Sequence, residues 1–215
     1  MGTVGLWNNA GGAGLTKYND MMPTAGEQVW DDSDTDDNGI PVHDNDNMLG
    51  YNGTFGGLGV SLAYVNGGSG AKNGGASDSS WVLTYDGLMD GLSLGAGMGE
   101  NGTTQDLSTI WAKYTAGSIT FGFQKSEVDN TGSTADEEST AIAASIAVNE
   151  NLSISAGKHD VDMGAGTVDE ESTGVSASYT MGSTTIGFVA NSTDNVAGTS
   201  GTDDSYREIA VSFAF

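Results

Sequence analysis

Apolar and polar residues alternate with a period of two over most of this chain. In "YREIAVSFAF" at the C-terminus, Ile209, Val211, Phe213 and Phe215 occupy every second position. Successive side chains of a β-strand point to opposite faces, so this pattern predicts a strand with one apolar face. The same alternation recurs in "MLGYNGTF", "GVSLAYV", "WVLTYD", "GLSLGAGM", "TIWAKYT", "SITFGFQ", "AIAASIAV", "NLSISAG", "TGVSASYTM" and "TTIGFVA".

The connections between these segments alternate between short and long. The short ones are "GGL", "MDG", "AGS", "NEN" and "GST", and the long ones, such as "NGGSGAKNGGASDS", "ENGTTQD" and "EVDNTGSTADEE", are polar and acidic. Antiparallel neighbours place every short turn at one end of the sheet and every long loop at the other. The pattern therefore predicts an up-and-down antiparallel meander.

The two faces of the predicted strands differ in a way that indicates their surroundings. One face carries large apolar residues, whereas the other carries mainly Ser, Thr, Gly, Ala and Gln, and charged residues make up only 16% of the chain. Small, uncharged polar residues are typical of a water-filled lumen, and Tyr64, Trp81 and Tyr114 near strand ends are typical of membrane-interface aromatics. We expect an all-β, transmembrane, antiparallel up-and-down β-barrel, with a soluble β-sandwich as the alternative.

Net charge narrows the classes of partner. Among 215 residues, 29 are acidic and 6 are basic, which gives a formal charge of −23. Such a field repels nucleic-acid phosphates and attracts cations, so no nucleic-acid partner is expected. The chain has no cysteine, which excludes disulfides and thiol-based sites. No stretch approaches the apolar length that a membrane helix needs.

Residues 31–46, "DDSDTDDNGIPVHDND", are the most acidic stretch. "DTDDNG" matches the first half of a calcium loop, but an EF-hand needs Glu at the twelfth position, where this chain has Asn45. An EF-hand is therefore excluded, whereas a looser calcium site and an unliganded, solvated loop both remain open. The candidate calcium ligands are Asp34, Asp36, Asn38, Asp44 and Asp46.

The two histidines, His43 and His159, lie in no recognisable nucleophile motif. A phospholipase or protease would need a Ser–His or Asp–His constellation, so we do not expect an enzyme. His159 is predicted to be solvated, at the base of a loop.

The C-terminal strand resembles the last strand of bacterial outer-membrane barrels. The resemblance rests on Phe215 and on Phe213, Val211 and Ile209 before it, and it implies that these residues are read by the outer-membrane assembly machinery. The whole chain resembles the general diffusion porins of the α-proteobacterial type. Those porins have sixteen strands, and a long loop after the fifth folds inward.

This resemblance implies the organisation of the chain. "GTVGLWN" would be the end of the fifth strand, and the eleven later strands would be the sixth to sixteenth, so about twelve strands of a sixteen-stranded barrel are expected, with the first four missing. The expected parts are a short strand at 1–8, an acidic constriction-type loop at 9–46 and an eleven-strand meander at 47–215.

The resemblance also implies roles for charged residues at the constriction. Carboxylates of the inward loop would face basic residues on the opposite wall, for which Lys113, Lys125 and Arg207 are candidates, with Lys158 as a further strand lysine. The candidate acids are Glu27, Asp31, Asp32, Asp34, Asp36 and Asp37. Since few basic residues oppose many acids, we expect cation preference.

The expected function is passive diffusion of small hydrophilic solutes and ions across the outer membrane of a Gram-negative bacterium. The resemblance implies a homotrimer surrounded by lipid bilayer and lipopolysaccharide. No cofactor is expected to be required, and calcium is the one candidate ion. The alternatives are an autotransporter or adhesin-type barrel of twelve strands, and a soluble acidic β-protein stabilised by calcium.

Overall fold

A computed structural model describes residues 2–7, 12–28, 47–67, 76–132, 134–164 and 166–214 of the chain. Within these ranges the regular elements are twelve β-strands and two 3₁₀ turns, Leu15–Lys17 and Val196–Gly198. The strands are β1 (Thr3–Trp7), β2 (Met48–Phe55), β3 (Leu58–Val65), β4 (Asp78–Tyr85), β5 (Leu92–Asn101), β6 (Gln105–Ala116), β7 (Ile119–Asn130), β8 (Glu137–Ala147), β9 (Leu152–Asp162), β10 (Glu170–Met181), β11 (Thr184–Asp194) and β12 (Asp204–Phe213). No helix among the described residues has the length and apolar character to cross a membrane.

Each strand is hydrogen-bonded to the next strand in sequence, in the order β1 to β12. The pairing is antiparallel, so that Val175 of β10 lies opposite Ala190 of β11, and Ala190 lies opposite Arg207 of β12. This is the up-and-down topology that alternating short and long connections predict. The all-β, antiparallel prediction is confirmed.

The contacts of the chain divide it into two compact units. The first comprises residues 1–20, 38–112 and 125–138, and the second comprises residues 21–37, 113–124 and 139–215. Each unit contains part of the segment that connects β1 to β2. Residues 12–28 of that connection are described, and we call them the loop segment.

The short connections predicted at "AGS" and "GST" are tight turns with glycine at the position that needs a positive φ. The turns after β6 and β10 begin with Gly117 and Gly182, both at φ +63°, the left-handed region that only glycine enters without strain. Several predicted long loops are shorter than expected, and "EVDNTGSTADEE" contributes only residues 131–136 as a connection. "ENGTTQD" contributes only residues 102–104 as a connection, because Asn101 and Gln105 are strand residues. The strands extend beyond their alternating apolar residues because backbone N–H and C=O groups can form hydrogen bonds whichever side chains the residues carry.

The strands expose their large apolar residues. On β4, Trp81 and Leu83 are each 39% exposed, whereas Ser80 and Val82, which alternate with them, are buried. On β12, Ile209 is 71% and Phe213 is 64% exposed. We call the side with the large exposed residues the apolar face, and the side with Ser80 and its equivalents the polar face. An exposed apolar face on strand after strand is what lipid-facing strands require.

The small cores lie on the polar face, where the loop segment covers it. In the first unit, Leu15 is fully buried against Val82, Leu107 and Val128. Burial of one leucine contributes about 2 kcal/mol. In the second unit, Met22 packs against Ala141. The loop segment therefore fills space on the polar face of each unit.

Candidate functional site

The first part of the loop segment is fixed to the strands by serine hydroxyls. The backbone N–H of Gly14 donates to Oγ of Ser61 at 2.8 Å, and that of Leu15 donates to Oγ of Ser80 at 3.1 Å. Both serines lie on the polar face and are buried. A buried N–H needs a partner, and these two obtain it from strand side chains.

Asn52 of β2 adds a polar junction beside these bonds. Its Nδ2 donates to the carbonyl of Gly12 at 2.9 Å, and its Oδ1 accepts from the Ser61 hydroxyl at 2.8 Å and from Nζ of Lys17 at 3.1 Å. Asn52 therefore orients both the loop segment and Ser61.

Glycines on β5 allow the loop segment to approach the polar face of the strands closely. A Cβ on Gly97 would lie 2.8 Å from Cδ2 of Leu15, and one on Gly99 would lie 2.9 Å from Cδ1 of Leu15. Both distances are too short for carbon atoms. The absence of side chains at these positions makes room for Leu15.

The second part of the loop segment is fixed by other strand side chains. The N–H of Met21 donates to Oε1 of Gln124 at 2.8 Å, and that of Ala25 donates to Oγ of Ser155 at 2.9 Å. Farther along, Nδ2 of Asn191 donates to the carbonyl of Gln28 at 3.1 Å. Backbone bonds to the wall therefore recur from residue 14 to residue 28.

An aromatic pair lies at the end of the first part. The rings of Tyr18 and Trp111 stack with their centroids 6.3 Å apart and 13° between their planes, and Nζ of Lys17 lies 5.5 Å from the Tyr18 centroid. Burial raises the pKa of the Tyr18 phenol, and the negative charge of Asp86 raises it further. The phenol therefore stays neutral at physiological pH.

The candidate basic residues divide between the two faces. Lys113 shares the polar face of β6 with the buried Thr109. Lys125 alternates with the buried Gln124 and lies on the apolar face with Phe123. Its Nζ lies 2.8 Å from Glu138 and 3.3 Å from Glu127. Because alternate residues of a strand point to opposite sides, this placement removes Lys125 from the polar face.

Two other strand cations also lie on the apolar face. Arg207 takes the same face of β12 as Ile209, which is highly exposed. Lys158 lies on the apolar face of β9, with its Nζ 3.0 Å from Asp160 and 2.7 Å from Glu171. Of the strand cations proposed from the sequence, only Lys113 lies on the polar face.

Among the candidate acids, Glu27 is the one that the described residues include. It lines a cavity of about 260 Å³ on the polar face of the second unit, together with Glu208 of β12. The other candidate acids and the candidate calcium ligands fall outside the described residues, as does Phe215. Phe213, Val211 and Ile209 all lie exposed on the apolar face.

Two buried polar residues were not expected from the sequence. His159 is 2% exposed on the polar face of β9, so the prediction of a solvated histidine is wrong. Glu170 is fully buried, and its Oε2 accepts a 2.8 Å bond from the N–H of Ala197 in the second 3₁₀ turn. The connection after β11 contacts Glu170 through this bond, and no local sequence pattern predicts the contact.

The wall residues that hold the loop segment were also missed. Ser61, Ser80, Gln124 and Ser155 occupy polar-face positions in the alternation, and the sequence indicated only that they would line a lumen. Their position on the polar face was predictable. Their pairing with particular loop amides was not, because the partners are up to 130 residues apart.

Comparison with known proteins connects this arrangement to one family. The family model for Gram-negative porins matches residues 3–215. Among curated proteins, no sequence matches the chain.

Solved structures share the fold at low sequence identity. An anion-selective porin from Comamonas acidovorans superposes with a TM-score of 0.66 at 18% identity, over 90% of this chain and 66% of that chain. A mutant of the Rh. blastica porin superposes with a TM-score of 0.68 at 16% identity, over 100% of this chain and 73% of that chain. OmpT of Vibrio cholerae superposes with a TM-score of 0.62 at 15% identity, over 81% of this chain and 66% of that chain. The chain spans about two thirds of the length of the Comamonas and Vibrio structures.

Proposed function

The chain belongs to the Gram-negative porin family, and on this premise we propose that it forms a water-filled channel through which small hydrophilic solutes and ions diffuse, with a preference for cations. The family places the protein in the bacterial outer membrane. Its exposed apolar face fits a lipid surrounding. Family and fold point to a channel and not to an enzyme.

The observation that carries the proposal is the position of the loop segment. It lies on the polar face of both units, held by hydrogen bonds from Ser61, Ser80, Gln124 and Ser155. A segment fixed on the lumen side reduces the open cross-section, so that solutes are selected by size. A fixed segment also keeps its own charges at constant positions in the lumen.

The distribution of charge supports cation preference. Among the described residues, Lys125, Lys158 and Arg207 lie on the apolar face, which leaves Lys17 in the loop segment and Lys113 on the polar face. The net charge of the whole chain is −23. Charges lining a channel with low-dielectric walls raise the local concentration of counter-ions, and salt screens them over about 8–10 Å.

Further partners belong to the same proposal. A homotrimer, contacts with lipopolysaccharide and recognition of the C-terminal strand by the assembly machinery follow from the family resemblance. No cofactor is needed for passive diffusion. Calcium at Asp34, Asp36, Asn38, Asp44 and Asp46 would brace the acidic part of the inward loop, alongside the constriction acids Asp31, Asp32 and Asp37.

Planar-bilayer recording tests the proposal. We expect stepwise single-channel conductance from the refolded protein, and a reversal potential in a KCl gradient whose sign shows K⁺ to be more permeant than Cl⁻. Absence of any conductance from refolded, membrane-inserted protein would refute the channel. Conductance with anion preference would refute the electrostatic part alone.

A further inference from the structure

The cavity beside Glu27 is bounded by two separate parts of the second unit. Residues 25–27 of the loop segment form one side, and the polar face of β10, β11 and β12 forms the other. Glu27 contributes a carboxylate from the loop segment and Glu208 contributes one from β12. No Lys or Arg among the described residues lines this cavity.

The two sides of the cavity are held in place by hydrogen bonds outside it. The Thr24 hydroxyl donates to the carbonyl of Glu27 at 2.7 Å and lies 3.2 Å from the Ser176 hydroxyl of β10. On the other side, the Tyr206 phenol donates to Oε2 of Glu208. The backbone of Glu27 and the carboxylate of Glu208 are thus attached to fixed supports, which reduces the ordering cost of binding a ligand.

The remaining lining is mostly apolar. It includes Val189 and Ala210, with hydroxyls from Ser178, Thr185 and Ser212. Hard metal ions such as Ca²⁺ are usually held by several carboxylates, whereas this cavity has two, and no group of three or more His, Asp or Glu that could hold a metal ion occurs among the described residues. An organic ammonium matches this lining better, because its charged head pairs with carboxylates and its methylenes contact apolar atoms.

We propose that this cavity is a binding subsite for small organic cations, namely primary amines that carry a short aliphatic chain. The proposal rests on the proposed function in that the cavity faces the lumen of the channel. The subsite would slow amines as they pass the loop segment. It adds a chemical preference to selection by size and overall charge.

Direct binding tests the subsite without the need for conductance. Calorimetric titration of the refolded protein in detergent micelles uses 1,4-diaminobutane as the probe and 1,4-butanediol as its uncharged analogue. We expect the diamine to bind at least about tenfold more tightly than the diol, because only its ammonium groups pair with the carboxylates. A factor of ten in affinity corresponds to about 1.4 kcal/mol. Equal binding of the two probes, or displacement of the diamine by equimolar Mg²⁺, would overturn the proposal.

Variants locate the binding. Glu27→Gln and Glu208→Gln should each weaken diamine binding about tenfold, within the range of a charge-assisted hydrogen bond. Glu100→Gln removes the same charge from an exposed position on β5 and should change nothing. If Glu100→Gln weakens binding as much as the other two, the amine responds to a diffuse field, and the subsite is refuted.

A variant that changes the shape of the cavity distinguishes the effect of the cavity from the effect of charge. It also tests the subsite if a glutamine variant does not fold. Ala210→Phe fills the cavity and keeps both carboxylates, so diamine binding should be lost. Undiminished binding to Ala210→Phe contradicts the site.

In bilayers, the diamine should reduce the wild-type current. A conducting protein that binds no diamine refutes the subsite alone, whereas a diamine-binding protein without conductance refutes only the channel.

Discussion

The backbone N–H of Leu15 donates a 3.1 Å hydrogen bond to the hydroxyl of Ser80, although the two residues are 65 positions apart in sequence. Leu15 belongs to the connection between β1 and β2, and Ser80 belongs to β4. The bond therefore ties a long loop to the polar face of the strands. Together with the bond from Gly14 to Ser61, it defines where the loop segment lies in the first unit.

Removal of these two hydroxyls should loosen the loop segment. In Ser61→Ala/Ser80→Ala, two buried N–H groups lose their acceptors, and each loss costs about 1–3 kcal/mol. We expect greater single-channel current noise and a higher mean conductance in planar bilayers. Ser79→Ala, on the exposed side of the same strand, is the control and should record as wild type. Wild-type noise in the double variant would show that these bonds do not position the segment.

A side chain at Gly99 should displace Leu15. The nearest Leu15 atom would lie 2.9 Å from the new Cβ, and Cβ of Ser80 would lie 2.7 Å from it. Gly99→Val should therefore change the single-channel conductance and destabilise the protein by about 1–3 kcal/mol, as overpacking does. Ala96→Val, on the exposed face of the same strand, should do neither. Urea unfolding in micelles and bilayer recording measure the two effects, and equal behaviour of both variants would contradict the close approach.

Lys113 and Lys125 should differ in their effect on ion selectivity. Lys113 lies on the polar face and Lys125 on the apolar face, paired with Glu138. Two unit charges roughly 10 Å apart in water interact by about 0.4 kcal/mol, which is about a factor of two in local ion concentration. Loss of the Lys113 charge favours K⁺ and disfavours Cl⁻ by that factor, so Lys113→Gln should raise the K⁺ over Cl⁻ permeability ratio about fourfold. Lys125→Gln should leave the ratio unchanged. Reversal potentials in a KCl gradient decide this, and an equal shift in both variants would contradict the assignment of faces.

Glu170 and Glu171 are adjacent but should differ in their contribution to stability. Glu170 is fully buried and accepts a bond from the N–H of Ala197, so Glu170→Ala should lower the free energy of unfolding by about 2 kcal/mol. Glu171 is half exposed and pairs with Lys158. Surface pairs contribute about 0–1 kcal/mol, so Glu171→Ala should have a small effect. Urea unfolding of the refolded protein compares the free energies of unfolding of the two variants. Equal losses in both variants would show that the burial of Glu170 does not determine its contribution to stability.

The strands, their order and their division into two faces follow from the amino-acid sequence alone. A period of two in "YREIAVSFAF" or "TTIGFVA" is a local property, and antiparallel neighbours follow from short connections such as those at Gly117 and Gly182. The face of each residue also follows from alternation, which assigns Lys125 and Arg207 to the apolar side once the strands are known. The resemblance to porins implies a lumen role for both residues, and their position on the apolar face does not fit that role.

Which polar-face residues hold the loop segment depends on contacts that exist only in the folded chain. Ser80, Gln124 and Ser155 look alike in the sequence as small or polar residues in alternate positions. Their partners lie in a connection that has no periodic pattern, and the bonds form where the chain returns over the wall. The bond from Ala197 to Glu170 and the cavity that Glu27 and Glu208 line also bring distant segments together. Local periodicity shows which face of a strand a residue occupies. Contacts between distant segments depend instead on how closely two backbones approach. A glycine such as Gly97 permits a close approach, but the sequence around it does not show which segment approaches.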